Sequence, residues 1–120
     1  MKTILIMEDD AHQSRLMKRL LEYAGYHVLV ESAAQDGLQT AMTAMPDLIL
    51  LDMGLPDMDG QTVAALLKGS AVLSTIPLVV VTAWPQETAA EMVRAYGCDG
   101  YISKPISARE FGTQVGAYLK

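Results

Sequence analysis

The chain has a single cysteine, Cys98, among its 120 residues, so no internal disulfide can form. Structural disulfides belong to oxidising compartments, and their absence favours a reducing one. Cys98 lies between Gly97 and Asp99 with no Cys or His close in sequence. It reads as a small packing residue, not a nucleophile. Long apolar runs are also missing: none approaches the roughly 20 residues that span a bilayer. No basic stretch followed by an apolar one opens the chain, so no secretory signal is read. A cytoplasmic protein without a membrane partner is expected. Positive charge is in deficit, with a net charge of −5, which argues against direct nucleic-acid binding, since phosphate recognition needs a basic patch. No linker, low-complexity tract or sequence repeat divides the chain. Residues 1–120 are therefore expected to form one domain, long enough for a real core.

What is present is an alternation. Thr3-Ile4-Leu5-Ile6-Met7 is an apolar strand running into Glu8-Asp9-Asp10, and Asp10-x-x-Gln13 has the form of a capping box. The spacing predicts a first helix that buries Leu16, Leu20 and Tyr23 or Ala24, with Gly25 as its left-handed stop. His27–Val30 is a second strand. Ser32-x-x-Gln35 predicts the start of a second helix, with Leu38, Ala41, Met42 and Met45 apolar and Pro46 closing it. Leu48-Ile49-Leu50-Leu51-Asp52 is a strand buried on both faces, followed by a loop dense in turn formers, Met53–Gly60. The third helix sets Val63, Leu66 and Leu67 on one face. Ile76–Val81 is the fourth strand and ends at Thr82-Ala83-Trp84-Pro85. The next helix has two compatible starts, Pro85 as its first residue or Thr88 as its cap. Gly97 ends it. Asp99–Ser103 leads to Lys104-Pro105, and Ser107-x-x-Glu110 caps a last helix carrying Phe111 and Val115. The apolar helix residues, methionines included, are expected in the core. Five βα units with short connections argue an α/β fold: a parallel sheet with helices on both faces.

In such a sheet the ligand site lies outside the carboxyl ends of the strands. A lone Asp there is ordinarily a turn cap. Here several strand ends finish in polar groups: Glu8 and Asp9, Asp52, Thr82, and Lys104. If the first and third strands are neighbours, Glu8, Asp9 and Asp52 converge, and carboxylates so placed repel unless a cation joins them. A hard divalent ion suits an oxygen-only donor set, and Mg²⁺ leaves room for a phosphate oxygen. Lys104 adds a point charge able to hold a phosphoryl oxygen. Thr82 adds a hydroxyl donor, and Ala83 leaves the mouth open. Carboxylate nucleophile, metal, lysine and hydroxyl are the parts of phosphoryl transfer onto aspartate. Phosphorylation of Asp52 would add charge and acceptor oxygens able to draw Thr82 and Lys104 inward.

The ordered set Glu8-Asp9, Asp52, Thr82-Ala83 and Lys104-Pro105, with the loop Asp52-x-x-Leu55-Pro56-x-x-x-Gly60, resembles the receiver domain of bacterial two-component response regulators. The resemblance covers the whole chain. The ending Gly97-Cys98-x-x-Tyr101-Ile102-Ser103-Lys104-Pro105 is most similar to single-domain cell-division regulators of the DivK type. The resemblance implies a flavodoxin-like sheet of order 2-1-3-4-5. It also implies Asp52 as phosphoacceptor and Mg²⁺ on Glu8, Asp9, Asp52 and the Gly54 carbonyl. Thr82 and Lys104 would bind the phosphoryl group. Tyr101 would be a switch aromatic, and the fourth helix, fifth strand and fifth helix the responding surface. In the family the positions of Gly54 and Trp84 are associated with phosphoryl lifetime. Trp84 either shields the acyl phosphate or simply packs on its loop.

The expected function is a phosphorylation-activated signalling switch. A histidine kinase or phosphotransfer protein would donate to Asp52, and the protein would promote transfer onto, and hydrolysis from, its own side chain without turning over an outside substrate. With no output domain after Lys120, the signal is expected to leave by protein–protein contact or relay, from a monomer. Two alternatives stand beside it: a receiver excised from a hybrid histidine kinase or multidomain regulator, and a receiver-like interaction module that is never phosphorylated. A hydrolase using Asp52 fits less well, because position 54 is Gly where a second carboxylate would be needed.

Overall fold

The computed structural model describes residues 1–119. The elements run β1 (Thr3–Met7), α1 (Ala11–Tyr23), β2 (His27–Glu31), α2 (Ala34–Ala44), β3 (Leu48–Asp52), α3 (Gly60–Gly69), β4 (Leu78–Thr82), α4 (Gln86–Tyr96), β5 (Gly100–Ser103) and α5 (Phe111–Gly116). All strand pairs are parallel, in the order β2-β1-β3-β4-β5. This is the expected α/β architecture and strand order. Ile4–Met7, Leu48–Leu51 and Leu78–Val81 are buried throughout, as strands covered on both faces must be.

Residue parity divides the core, because alternate strand residues face opposite sides of the sheet. Leu5, Met7, Ile49, Leu51, Leu78 and Val80 pack with Ala41 of α2, Val63 and Leu67 of α3, and Met92 of α4. Ile4, Ile6, Leu48, Leu50, Val79 and Val81 pack with Met17 and Leu21 of α1, and with Phe111 and Val115 of α5. The six-residue α5 is held by that burial; Phe111→Ala would cost about 3–5 kcal/mol.

Several helix details differ from the sequence expectation. In α1 the buried seam is Ser14, Met17 and Leu21. Leu16 and Leu20 are only half-buried and Tyr23 is 94% exposed. The helix is rotated from the expected face, and Ser14 is tolerated inside because its hydroxyl donates to the Ala11 carbonyl at 3.2 Å. Met42 in α2 is exposed, as are Met45 at its left-handed C-cap and Leu66 in α3. Small residues, Ala34, Gly37 and Ala41, face the sheet in α2 instead. Gly37 lies so close to the Met7 side chain that a Cβ there would clash, so α2 sits tight on β1.

Helix starts are met in part. Asp10 caps α1, accepting from the His12 and Gln13 amides. The reciprocal half of the box is absent: the Asp10 amide donates to Glu8 Oε2 at 3.3 Å. Ser32 does not cap α2. Ala33 occupies the cap position with no side-chain hydrogen bond, and the first helical amides donate to Asp57, far along the chain. Of the two starts open for α4, the structure lies one residue from the first: Pro85 is the cap residue, not the first helical one, and the helix begins at Gln86. Ser107 Oγ accepts from the Glu110 amide at 3.3 Å, but this closes the turn ahead of α5: the helix starts at Phe111, and Glu110 occupies its cap position with no side-chain hydrogen bond.

Candidate functional site

The β1–β3 register sets Met7 opposite Leu51. The next residues, Glu8 and Asp52, therefore leave the sheet side by side. Asp52 pairs with Val81, Thr82 pairs with Ser103, and the Lys104 amide donates to the Thr82 carbonyl at 2.8 Å. One end of the sheet thus carries Glu8, Asp9, Asp52, Thr82 and Lys104. The parallel topology alone brings these distant positions together.

Glu8, Asp9 and Asp52 each offer a carboxylate oxygen within 4.8 Å of the others. Glu8 is buried, Asp52 half-buried and Asp9 exposed, so the cluster opens to solvent on one side. The Lys104 ammonium donates to Glu8 Oε1 at 2.9 Å and to Asp52 Oδ1 at 3.1 Å. Burial pushes the Glu8 carboxyl above its ordinary value, and the charge of Asp52 adds to this against the pull of Lys104. Burial also disfavours the Lys104 ammonium, but its bonds and charges to Glu8 and Asp52 together outweigh that and raise its pKa. One cation therefore faces three carboxylates, and the cluster remains anionic. An oxygen-only set that is short of positive charge, with a solvent-facing side, fits a hard divalent cation. Gly54 lies against it: a Cβ there would stand 3.7 Å from Asp52 Oδ2. Lys104 occupies Oδ1, and Oδ2 faces the side-chain-free Gly54.

Thr82 is 3% exposed. Its Oγ1 accepts from the Trp84 amide at 3.0 Å. A hydroxyl that accepts still keeps its own hydrogen to donate. Val80 and Tyr101 pair across β4 and β5 and pack in the same half of the core. Thr82, two residues after Val80, points to that same face. Tyr101 is half-buried there, and Trp84 packs against the same cluster, in line with the packing alternative for Trp84. The Lys104–Pro105 peptide is cis.

Each residue named from the sequence thus falls at or beside this sheet end: Glu8, Asp9, Asp52, Gly54, Thr82 and Lys104 around the acidic cluster, Tyr101 on the flank below Thr82. Cys98 lies elsewhere, buried, its thiol pushed up to about 11 chiefly by burial. Sequence reasoning missed Asp57. Its only sequence signal was a second aspartate in the turn-rich loop beyond the one that caps α3, Asp59, while Ser32 offered a local decoy for α2.

A sequence model of the family described as "Response regulator receiver domain" matches residues 4–115. The polar-differentiation response regulator DivK of Brucella ovis is 36% identical over 118 residues, covering 98% of this chain and 96% of that protein. The signal receiver domain of a signal transduction histidine kinase from Syntrophus aciditrophicus is similar in structure. Its TM-score is 0.89 at 29% identity, over 99% of this chain and 90% of that one. The chemotaxis response regulator CheY4 of Vibrio cholerae shares the fold, with a TM-score of 0.92 at 21% identity over 99% of both chains.

Proposed function

The chain belongs to the response regulator receiver family and is a phosphorylation-dependent signalling switch, not an enzyme that turns over an outside substrate; we propose that Asp52 is its phosphoryl acceptor. The observation that carries this reading is the charge imbalance around Asp52: one lysine among three clustered carboxylates. A merely structural ion pair would be balanced.

In this reading a histidine kinase or phosphotransfer protein presents a phosphohistidine. A carboxylate oxygen of Asp52 forms the new P–O bond as the P–N bond breaks, and the imidazole leaves with the electron pair and takes a proton. Glu8, Asp9, Asp52 and the Gly54 carbonyl would hold Mg²⁺, which supplies neutralisation of the phosphoryl charge. Lys104, already on Asp52 Oδ1, moves with little change onto a phosphoryl oxygen. Thr82 has its hydroxyl hydrogen to give. Drawing Thr82 toward the site opens space beside Tyr101 on the same face, and Tyr101 is the aromatic that fills it. The surface of α4, β5 and α5 then changes for a downstream protein. Water attack on the acyl phosphate, promoted by the same site, resets the switch.

Residues 1–120 act here as one receiver domain, a monomer working in the cytoplasm. Among the described residues no helix is long and apolar enough to cross a membrane. The test is intact mass after incubation with Mg²⁺ and acetyl phosphate. Wild type should gain one phosphoryl group, and Asp52→Asn should gain none. Equal labelling of both, or of neither, would overturn the assignment.

A further inference from the structure

We propose that Asp57 is a positioning residue for the acceptor loop. It holds the half of the acidic cluster on β3 in register with the half on β1. The inference rests on the reading of Asp52 and Gly54 given above.

The starting point is a helix without a cap of its own. At the N-terminus of α2, Ala33 has the extended backbone of a cap residue, φ −130° and ψ 148°, but no side chain that can accept. The Ala34 amide instead donates to Asp57 Oδ1 at 2.8 Å, and the Gln35 amide to Asp57 Oδ2 at 3.0 Å. Both oxygens of one carboxylate are used, across 23 and 22 residues of chain. These two bonds hold the Asp57 carboxyl below its ordinary range, so the charged form makes them.

A residue at position 33 could cap α2 equally well. A cap that comes from the β3–α3 loop does something further: it joins two elements. The other ties of that loop lead back to its own strand and helix. The Gly60 amide donates to the Met53 carbonyl at 3.3 Å, and Asp59 caps α3 through the Thr62 amide at 2.8 Å. Asp57 reaches out to α2. Just ahead of α2 the Glu8 amide donates to the Glu31 carbonyl at 3.0 Å, three residues before Ala34. The result is a closed circuit from Glu8 through the end of β2 and the start of α2 to Asp57, and back along the loop to Asp52. Glu8 and Asp52, two of the three clustered carboxylates, are its ends, and Lys104 bridges them.

Gly54 is the loose point of the circuit. It is exposed and has no side chain to anchor it, and glycine is the residue with most backbone freedom. Its carbonyl can hold one direction only if its neighbours are fixed. Leu55 is fixed by burial, and Asp57 is fixed by α2.

The experiment compares wild type, Asp57→Ala, Asp57→Asn and the double variant Asp57→Ala/Ala33→Asp. Mg²⁺ is titrated by calorimetry, thermal unfolding is followed in chelator, and phosphoryl uptake from acetyl phosphate is read by intact mass. The double variant restores a carboxylate cap to α2, and the same net charge, without the tie to the loop. D57A should unfold at lower temperature and bind Mg²⁺ roughly tenfold more weakly, the size typical of residues that orient metal ligands. D57N keeps one acceptor, should fold, and should lie between. D57A/A33D should regain the unfolding temperature but not the Mg²⁺ affinity. Unchanged affinity in D57A and D57N, or affinity that returns with A33D, would make Asp57 a helix cap and nothing more. Failure of the parent reading looks different: wild type itself would take up neither Mg²⁺ nor phosphoryl group, and this proposal would fall with it.

Discussion

Two lysine–carboxylate pairs sit at opposite ends of the same sheet and have the same length. Lys68 meets Asp99 at 2.9 Å at the amino end of the strands. Lys104 meets Glu8 at 2.9 Å at the carboxyl end. The surroundings differ. Lys68 also donates to the Ser74 and Ile76 carbonyls, and Asp99 Oδ2 also accepts from the Leu78 amide at 2.7 Å. Here the cation meets a single carboxylate, and its two further bonds go to backbone carbonyls. This pair fastens the end of α3, the turn into β4 and the turn into β5 to one another. Lys104 faces Glu8 and Asp52, with Asp9 close by. The charge does not close. A salt bridge is therefore not informative by its length; the balance of charge around it separates a fastener from a site.

The sharpest way to break that comparison is to truncate each lysine. Removing one partner of a buried pair leaves uncompensated charge and costs about 3–5 kcal/mol. Lys104 keeps some solvent contact, so Lys104→Ala should sit near the lower end, roughly 3 kcal/mol in chelator. Saturating Mg²⁺ should restore much of this, because an ion at a hundredfold its Kd contributes about 2.7 kcal/mol to the state that binds it. Urea titrations with and without Mg²⁺ read both quantities. A variant whose loss ignores Mg²⁺ would mean the carboxylates do not form a metal site.

A smaller effect is expected at the other end. Lys68→Ala takes the ammonium donor from the Ser74 and Ile76 carbonyls and from Asp99, which keeps the Leu78 amide, a loss on the order of 1–2 kcal/mol. Mg²⁺ affinity and phosphoryl uptake should stay at wild-type values. A Lys68→Ala protein with weakened Mg²⁺ binding would show the two ends to be coupled, and the fastener reading would fail.

The smallest expected effect is a rate. Cys98 adjoins the Lys68–Asp99 pair, and its thiol is pushed up to about 11. At pH 8 that leaves about one thiolate in a thousand. Native protein should react very slowly with a thiol reagent and quickly in urea. Fast native labelling would mean that this end of the sheet opens, against the picture of a closed fastener.

Legibility in the sequence followed the range of the interactions. Strand and helix order, the left-handed stops at Gly25 and Gly97, and the strand-end residues Glu8, Asp52, Thr82 and Lys104 were all readable, because each depends on local pattern or on where a strand ends. The α1 face was misread: Tyr23 fits the helical spacing as well as Leu21 does, and only contact with Phe111 and Val115 across the sheet's flank decides which face turns inward. The α2 cap was misread for a related reason. Ser32 satisfies the local rule, but a carboxylate from another loop can outcompete a hydroxyl for the same amides.

The sequence by itself determined that this chain alternates strand and helix, that its first, third and fourth strands are built on apolar runs, and that acidic and cationic residues stand at strand ends. Periodicity and turn chemistry are written along the chain, so these needed no partner to be seen. Tertiary structure decided what meets what. That Lys104 reaches both Glu8 and Asp52, that Lys68 closes on Asp99, and that Asp57 belongs to α2 depend on strand order and register. Those are fixed by burying both faces of the sheet at once, a condition no single stretch of sequence contains.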